Sequence, residues 1–294
     1  MQCIVAVIGV EPSGITALKN LPDQGIPAVA FDRNEAVGGN WIYSEKESHS
    51  SIIETTPIIS SKTLSQYEDF TFDECDSEAP DYPDHHRQRG YFQAYAEKFN
   101  LYPHIQLGTP VKHCKGIDSQ TWEITTEKNG LDTRGISPHL VVSNGHHREP
   151  RFPNYQGEFS GEFLHYWLSH PFFDKNFIDY SEGPVPLYLK MFHPDYCNLY
   201  FIGMFQPLGC IWPGVELPSK LMAQELMGTW KRPKKIRELC EKQVTPAHYR
   251  PVNSPRHSVT VNYHLLMKAL RKTLPKSQVS KIPQQNMDSE MVST

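Results

Sequence analysis

The chain has 294 residues, 38% of them apolar, and 18 glycines, enough to bury a sizeable core in one large domain or two modest ones. Its 29 basic residues are outnumbered by 33 acidic ones, a net charge of -4, so neither nucleic acid nor an anionic membrane is expected as a principal partner. The six cysteines, at 3, 75, 114, 197, 210 and 240, lack CxxC or CxxH spacing, which favours buried, reduced thiols in a cytoplasmic protein over a disulfide scaffold or a zinc module.

The first organised segment is the β-branched run Cys3 to Ile8. It is too short for a bilayer span, so no transmembrane segment is expected from it. It runs into Gly9-Val10-Glu11-Pro12-Ser13-Gly14, after which Ile15, Ala17, Leu18 and Leu21 recur at helical spacing. A second run, Ala28 to Phe31, ends in Asp32. Strand, glycine turn, helix and strand in this order make one βαβ unit. Residues 43–90 are polar and turn-rich. A helix is predicted over Tyr91–Phe99. Short β pieces are predicted at Ile105-Gln106-Leu107 and Trp122–Thr126, around a turn at Lys115-Gly116. A buried strand, Leu140-Val141-Val142, precedes Asn144-Gly145, and another, Leu199–Ile202, stops at Gly203. Helices are predicted over 219–230 and 234–243. From Pro275 the polar tail is expected to be disordered.

A dinucleotide-binding turn needs a tight first glycine, a second glycine where the backbone meets the pyrophosphate, and a third for helix packing; an acid after the next strand takes a ribose hydroxyl. Gly9, Gly14 and Asp32 fill three of these places, and Glu11 stands at the second glycine. A carboxylate there would repel a pyrophosphate by roughly 1–4 kcal/mol at about 4 Å. That is about one to three decades in affinity, unless the side chain points to solvent.

Ala36-Val37-Gly38-Gly39-Asn40-Trp41 follows shortly. With Gly9 to Gly14 and Asp32, it resembles the FAD-binding start of the flavin-containing monooxygenases. Further matches run in order: Thr55 to Phe72 with Ser60-Ser61-Lys62, Tyr82-Pro83, the helix around Tyr91, Val142 to His147, and Phe159-Ser160-Gly161-Glu162-Phe163-Leu164-His165, like the core of the family's FxGxxxH signature. Phe192 to Asp195, Asn198 to Gly203 and Gln206-Pro207-Leu208-Gly209 resemble its closing FAD segment. The resemblance implies an α/β chain with a Rossmann-like three-layer FAD/NAD(P)-binding fold. It implies a cofactor-binding set of Gly9, Pro12, Ser13, Gly14, Asp32, Gly39, Asn40, Trp41, Ser60, Ser61, Val111 and Gln206. It assigns no catalytic residue and no metal ligand here. The reaction implied is FAD-dependent oxygenation of a soft amine or sulfide by O2 and NADPH, of the N,N-dimethylaniline monooxygenase type.

The family's second glycine turn, which opens an inserted NADPH-binding domain, has no counterpart over residues 165–200, and the ATG-Tyr linker motif is missing. The inserted NADPH-binding domain is therefore expected to be absent, and NADPH enters by family only. The division expected is 1–165 as the N-terminal FAD-binding part (first βαβ unit 3–32), 166–186 as the junction, 187–274 as the C-terminal part completing the FAD domain, and 275–294 as the tail. NADPH-dependent turnover is expected to be low or absent, the alternative being a non-catalytic FAD-binding or apo scaffold. The surface left by the missing domain would favour a homodimer. Other constellations carry less. His85-His86 and His146-His147 lack partners at ligand spacing and read as surface or turn residues. Ser13 lacks the glycine at position 11 that a nucleophile elbow needs. Trp167 and Trp212 read as packing, and Trp41, beside Gly38-Gly39, as cofactor-facing. Lys231 to Lys235 reads as a solvated face.

Overall fold

The structure, a computed structural model, describes residues 5–45, 52–145, 149–150, 166–167, 169–174, 177–178, 185–207, 209–241 and 258–275. In chain order the strands are β1 (Val5–Ile8), β2 (Ala28–Phe31), β3 (Ile105–Gln106), β4 (Val111–Gly116), β5 (Trp122–Lys128), β6 (Leu131–Ser137), β7 (His139–Val142), β8 (Glu149–Pro150), β9 (Tyr166–Trp167) and β10 (Leu199–Phe201). The helices are α1 (Pro12–Lys19), α2 (Phe72–Cys75), α3 (His85–Lys98), α4 (Glu216–Leu226), α5 (Ile236–Glu241) and α6 (Tyr263–Thr273). The signature Phe159 to His165, His146-His147, Leu208 and the tail beyond 275 lie outside the described residues.

A five-stranded parallel sheet in the order β10-β7-β1-β2-β3 forms the middle layer. β1, β2, β10 and the Leu140–Val142 part of β7 are continuous apolar runs because both faces are covered, whereas β3 at the edge ends in the exposed Gln106. The pleat sorts them: Val5, Val7, Val141 and Tyr200 face a helical layer built from α1, α3, α4 and α6. Ala6, Ile8, Leu140, Val142, Leu199 and Phe201 face the other way, onto Cys114 of β4 and Trp122 and Ile124 of β5. Those belong to the antiparallel sheet β4-β5-β6, the third layer. The chain leaves β1 to one side for β2 and later returns on the other side as β7. That reversal opens a crevice at the carboxyl ends of β1 and β7, where open α/β sheets bind ligands.

Several sequence expectations are corrected. Lys115-Gly116 ends β4 and is no turn; the chain turns after it. α3 starts at His85, where the Asp84 side chain accepts a hydrogen bond from Arg87 N at 3.0 Å, because a cap rather than apolar periodicity opens its first turns. β6 and α6 add to the elements expected from the sequence. β6 is exposed except at Ser137 and so has no apolar alternation. α6 opens on Asn262, whose side chain accepts from Leu265 N at 3.0 Å. The helices expected over 219–230 and 234–243 are α4 and α5. Cys75 and Cys197 are exposed, so thiol burial holds only for part of the set. His85 is buried, its ring tilted against that of His86 at 3.9 Å between centroids, which removes it from the surface. Arg232 is likewise no solvated residue. It pairs with Glu225 at 2.7 Å, donates to the carbonyls of His193, Tyr196 and Cys197, and lies over the Phe192 ring.

Candidate functional site

The glycine turn sits where β1 passes into α1. Gly9 adopts φ +97, and a Cβ there would lie 2.4 Å from the Ser143 carbonyl oxygen. A Cβ on Gly14 would lie 1.9 Å from the Gly9 carbonyl oxygen, so any side chain would push the helix off the strand. Pro12 opens the helix without needing an amide partner, and its carbonyl accepts from the Tyr67 hydroxyl at 2.8 Å. This anchors the helix N-terminus at the mouth of the crevice.

Two adjoining cavities fill that crevice. The larger, of about 460 Å³, is lined by Pro12, Ser13, Asn40, Trp41, Ser60 and Gln206 of the expected set. The smaller, of about 80 Å³, is lined by Gly9, Asp32, Gly39, Asn40 and Val111. Gly14 lies behind Gly9 as a packing residue. Ser61 lines neither cavity; its hydroxyl is 3.1 Å from that of Thr63. Trp212 joins Trp41 on the wall of the larger cavity, edge to face at 5.7 Å, so the packing role expected for it is incomplete. Ile59 is 92% exposed on the rim.

Asp32 is 7% exposed. Its Oδ2 accepts from Val10 N at 2.7 Å and its Oδ1 from Asn34 N at 2.8 Å. Burial raises its carboxyl above the usual range, and the two amides and Arg33 oppose that rise. It ties the end of β2 to the glycine turn.

Glu11 is half-buried and turns into the crevice rather than out to the surface. Its side chain passes between Gly39 and Gly145, where a Cβ would meet its Cγ at 2.4 Å and its Oε2 at 2.3 Å respectively, and it lines both cavities. Burial first, and Asp32 second, push its carboxyl up to about 8, against the pull of Arg33. At neutral pH it is therefore mostly an uncharged acid, and the repulsion expected of a carboxylate does not arise there.

Asn144, after β7, is a further site residue outside the set expected from the sequence. It lines both cavities, donates to the Ser169 carbonyl at 3.1 Å, and its Oδ1 is 3.1 Å from His170 Nδ1. Burial lowers His170 to about 4, so it is neutral at pH 7. Asn144-Gly145 carries a turn signal, but nothing local places it across from Asn40. Among the described residues no group of His, Cys, Asp and Glu could hold a metal.

The residues present fit the FAD that the resemblance implies. The buried acid Asp32 lines the smaller cavity, Gly9 and Gly14 beside it leave no room for a side chain, and a roomier aromatic-walled cavity adjoins them.

Comparison with known proteins agrees with this geometry. Dimethylaniline monooxygenase [N-oxide-forming] 2 of Macaca mulatta is 32% identical over 171 residues, 55% of this chain and 31% of that protein. Flavin-containing monooxygenase 2 of Homo sapiens is 31% identical over the same shares. The chain thus spans about a third of the length of the curated relatives it matches. Among solved structures, S-allyl-L-cysteine S-oxygenase from Allium sativum superposes with a TM-score of 0.77 at 18% identity, covering 98% of this chain and 94% of that one. Tmm from Pelagibacter sp. superposes with 0.70 at 16% identity, covering 91% and 89%. These two share the fold. The Flavin-binding monooxygenase-like family matches residues 2–166 and 163–281, nearly all of the chain, and to that family this chain belongs.

Proposed function

We propose that the protein holds FAD in this crevice and acts as a flavin monooxygenase-like oxygenase of soft amine or sulfide substrates, with low NADPH-dependent turnover. The observation that carries the reading is the joining of the Gly9–Gly14 turn, Asp32 and the 460 Å³ cavity along one sheet end. The nitrogen-oxide-forming relatives support the amine half. When bound, FAD supplies the redox and oxygen chemistry. The chain's own residues do the rest. The N-terminus of α1 and Ser13 would hold the phosphates. Asp32 would accept a ribose hydroxyl. Asn40, Asn144 and Gln206 offer amide groups to polar edges, and the Trp41–Trp212 wall keeps water from the reacting end.

Low turnover follows from what would deliver hydride. Among the described residues there is one parallel sheet and one glycine turn of this kind, and both serve the FAD crevice. The same observation favours a second reading, a non-catalytic scaffold. A cytoplasmic setting and self-association to a homodimer belong to the proposal, to be tested by fractionation and sedimentation. Among the described residues no helix is long and apolar enough to cross a membrane.

The deciding experiment is the visible absorption spectrum of the purified protein, with and without added FAD. A flavin band that NADPH bleaches slowly or not at all is the expected result. A colourless protein in excess FAD would overturn the oxygenase reading and leave the scaffold.

A further inference from the structure

Glu11 occupies the second of the three places where a dinucleotide-binding turn asks for no side chain, the one where the backbone meets the pyrophosphate. Its carboxyl bridges the gap between the Gly38–Trp41 turn and the loop after β7, at the boundary of the two cavities, and makes no capping hydrogen bond to its own helix. The groups that face it are few. From the end of β2 come Asp32 and Arg33. On the turn, Gly39 and Asn40 are neutral, and Arg89 of α3 packs behind Gly38. On the loop after β7, Ser143, Asn144 and Gly145 are neutral, with His170 behind Asn144. On α1, Pro12 and Ser13 carry no charge. Among the described residues its nearest charged neighbours are thus one acid and one base from the same strand end.

We propose that Glu11 is a proton-operated gate on cofactor binding: as a neutral acid it donates a hydrogen bond to a phosphate oxygen at the start of α1, and as a carboxylate it repels the pyrophosphate. This rests on the reading that the crevice takes FAD. A carboxyl with a value of about 8 is protonated in most molecules at pH 7 and ionised in most at pH 9. A bound dianion favours the protonated form further. By linkage, affinity is then level at low pH and falls about tenfold for each pH unit above the transition. The neutral acid is a donor where a glycine would offer only space, so the substitution converts a constitutive site into one that senses pH.

The test is FAD binding to the full chain by equilibrium dialysis between about pH 6 and 9, for the wild type, Glu11→Gln and Glu11→Gly, with circular dichroism melts to confirm that each folds. The expected wild-type affinity at the upper end is about tenfold weaker than at neutrality. Glu11→Gln keeps the bulk and a donor but cannot ionise, so its affinity is level and matches the wild type at low pH. Glu11→Gly loses the charge together with the donor, so its affinity is level with pH and tighter than that of the wild type at the upper end. A level wild-type profile, or a slope that persists in Glu11→Gln, overturns the gate and leaves FAD binding intact. Failure of all three proteins to bind FAD overturns the gate and the cofactor reading together.

Discussion

Two residues test the crevice directly. Asp32 holds two backbone amides and, in the proposed function, takes a ribose hydroxyl, so Asp32→Ala is expected to weaken FAD binding by about 10- to 100-fold, the worth of a charged hydrogen bond. Dialysis against FAD measures it, and unchanged affinity in a folded variant would place the ribose elsewhere. Gly14→Ala sets a methyl 1.9 Å from a backbone oxygen that cannot rotate away. The expected cost is about 1–3 kcal/mol or more, read as a lowered thermal midpoint. Glycine spacing makes both residues legible in the amino-acid order itself, because turn sterics are local. Asn144 is not legible there as a ligand-facing group. Its neighbours Ser169 and His170 approach it only once the parallel sheet has formed.

Among the elements, α1 depends on more than its apolar face. Lys19 near its end pairs with Asp69 and, at 3.0 Å, with Glu216 of α4, which also meets Lys220 at 2.9 Å and Asn20 at 3.1 Å. Burial works to raise Glu216, yet the two ammonium groups outweigh it and hold its carboxyl below the usual range. A depressed carboxyl stabilises the fold above its ordinary value, and that contribution is lost as pH falls through the folded value. Lys19→Met is expected to cost about 1–3 kcal/mol in urea unfolding, because it takes from the buried Glu216 one of its two ammonium partners. It should also flatten the acid limb of the stability profile. A cost under about 1 kcal/mol would mean that the cluster behaves as an exposed pair. Only its i,i+4 pair Glu216–Lys220 is local in the sequence; Lys19 lies 50 and 197 residues from its two partners. β6 escapes the apolar pattern for a different reason. Its apolar residues Leu131 and Ile136 are exposed, so no face of it is buried to leave a mark. The Asn129-Gly130 pair, at φ 54 and 77, does carry a two-residue hairpin signal that apolar counting passes over.

At the scale of the molecule, three layers depend on the two faces of one sheet. Trp122 is 2% exposed and plugs the face opposite the helices, among Phe173, Phe177 and Tyr196. Trp122→Ala is expected to cost about 3–5 kcal/mol and to loosen the antiparallel sheet, including Val111 at the smaller cavity. FAD affinity should fall with it. A full loss of stability with unchanged affinity for the folded fraction would separate that layer from the site.

The β1–turn–α1–β2 unit, the acid at its end and the family likeness follow from the amino-acid order alone. Strand burial and turn sterics act over a few residues, so their marks stay in the local pattern. The protonation of Glu11, the partnering of Asn144 with His170 and the shape of the large cavity follow from the tertiary arrangement. Pro12, Ser60, Asn144 and Gln206 meet around one space only because the sheet brings their strand ends together. The charge of a carboxyl depends on what then surrounds it rather than on where it stands in the chain.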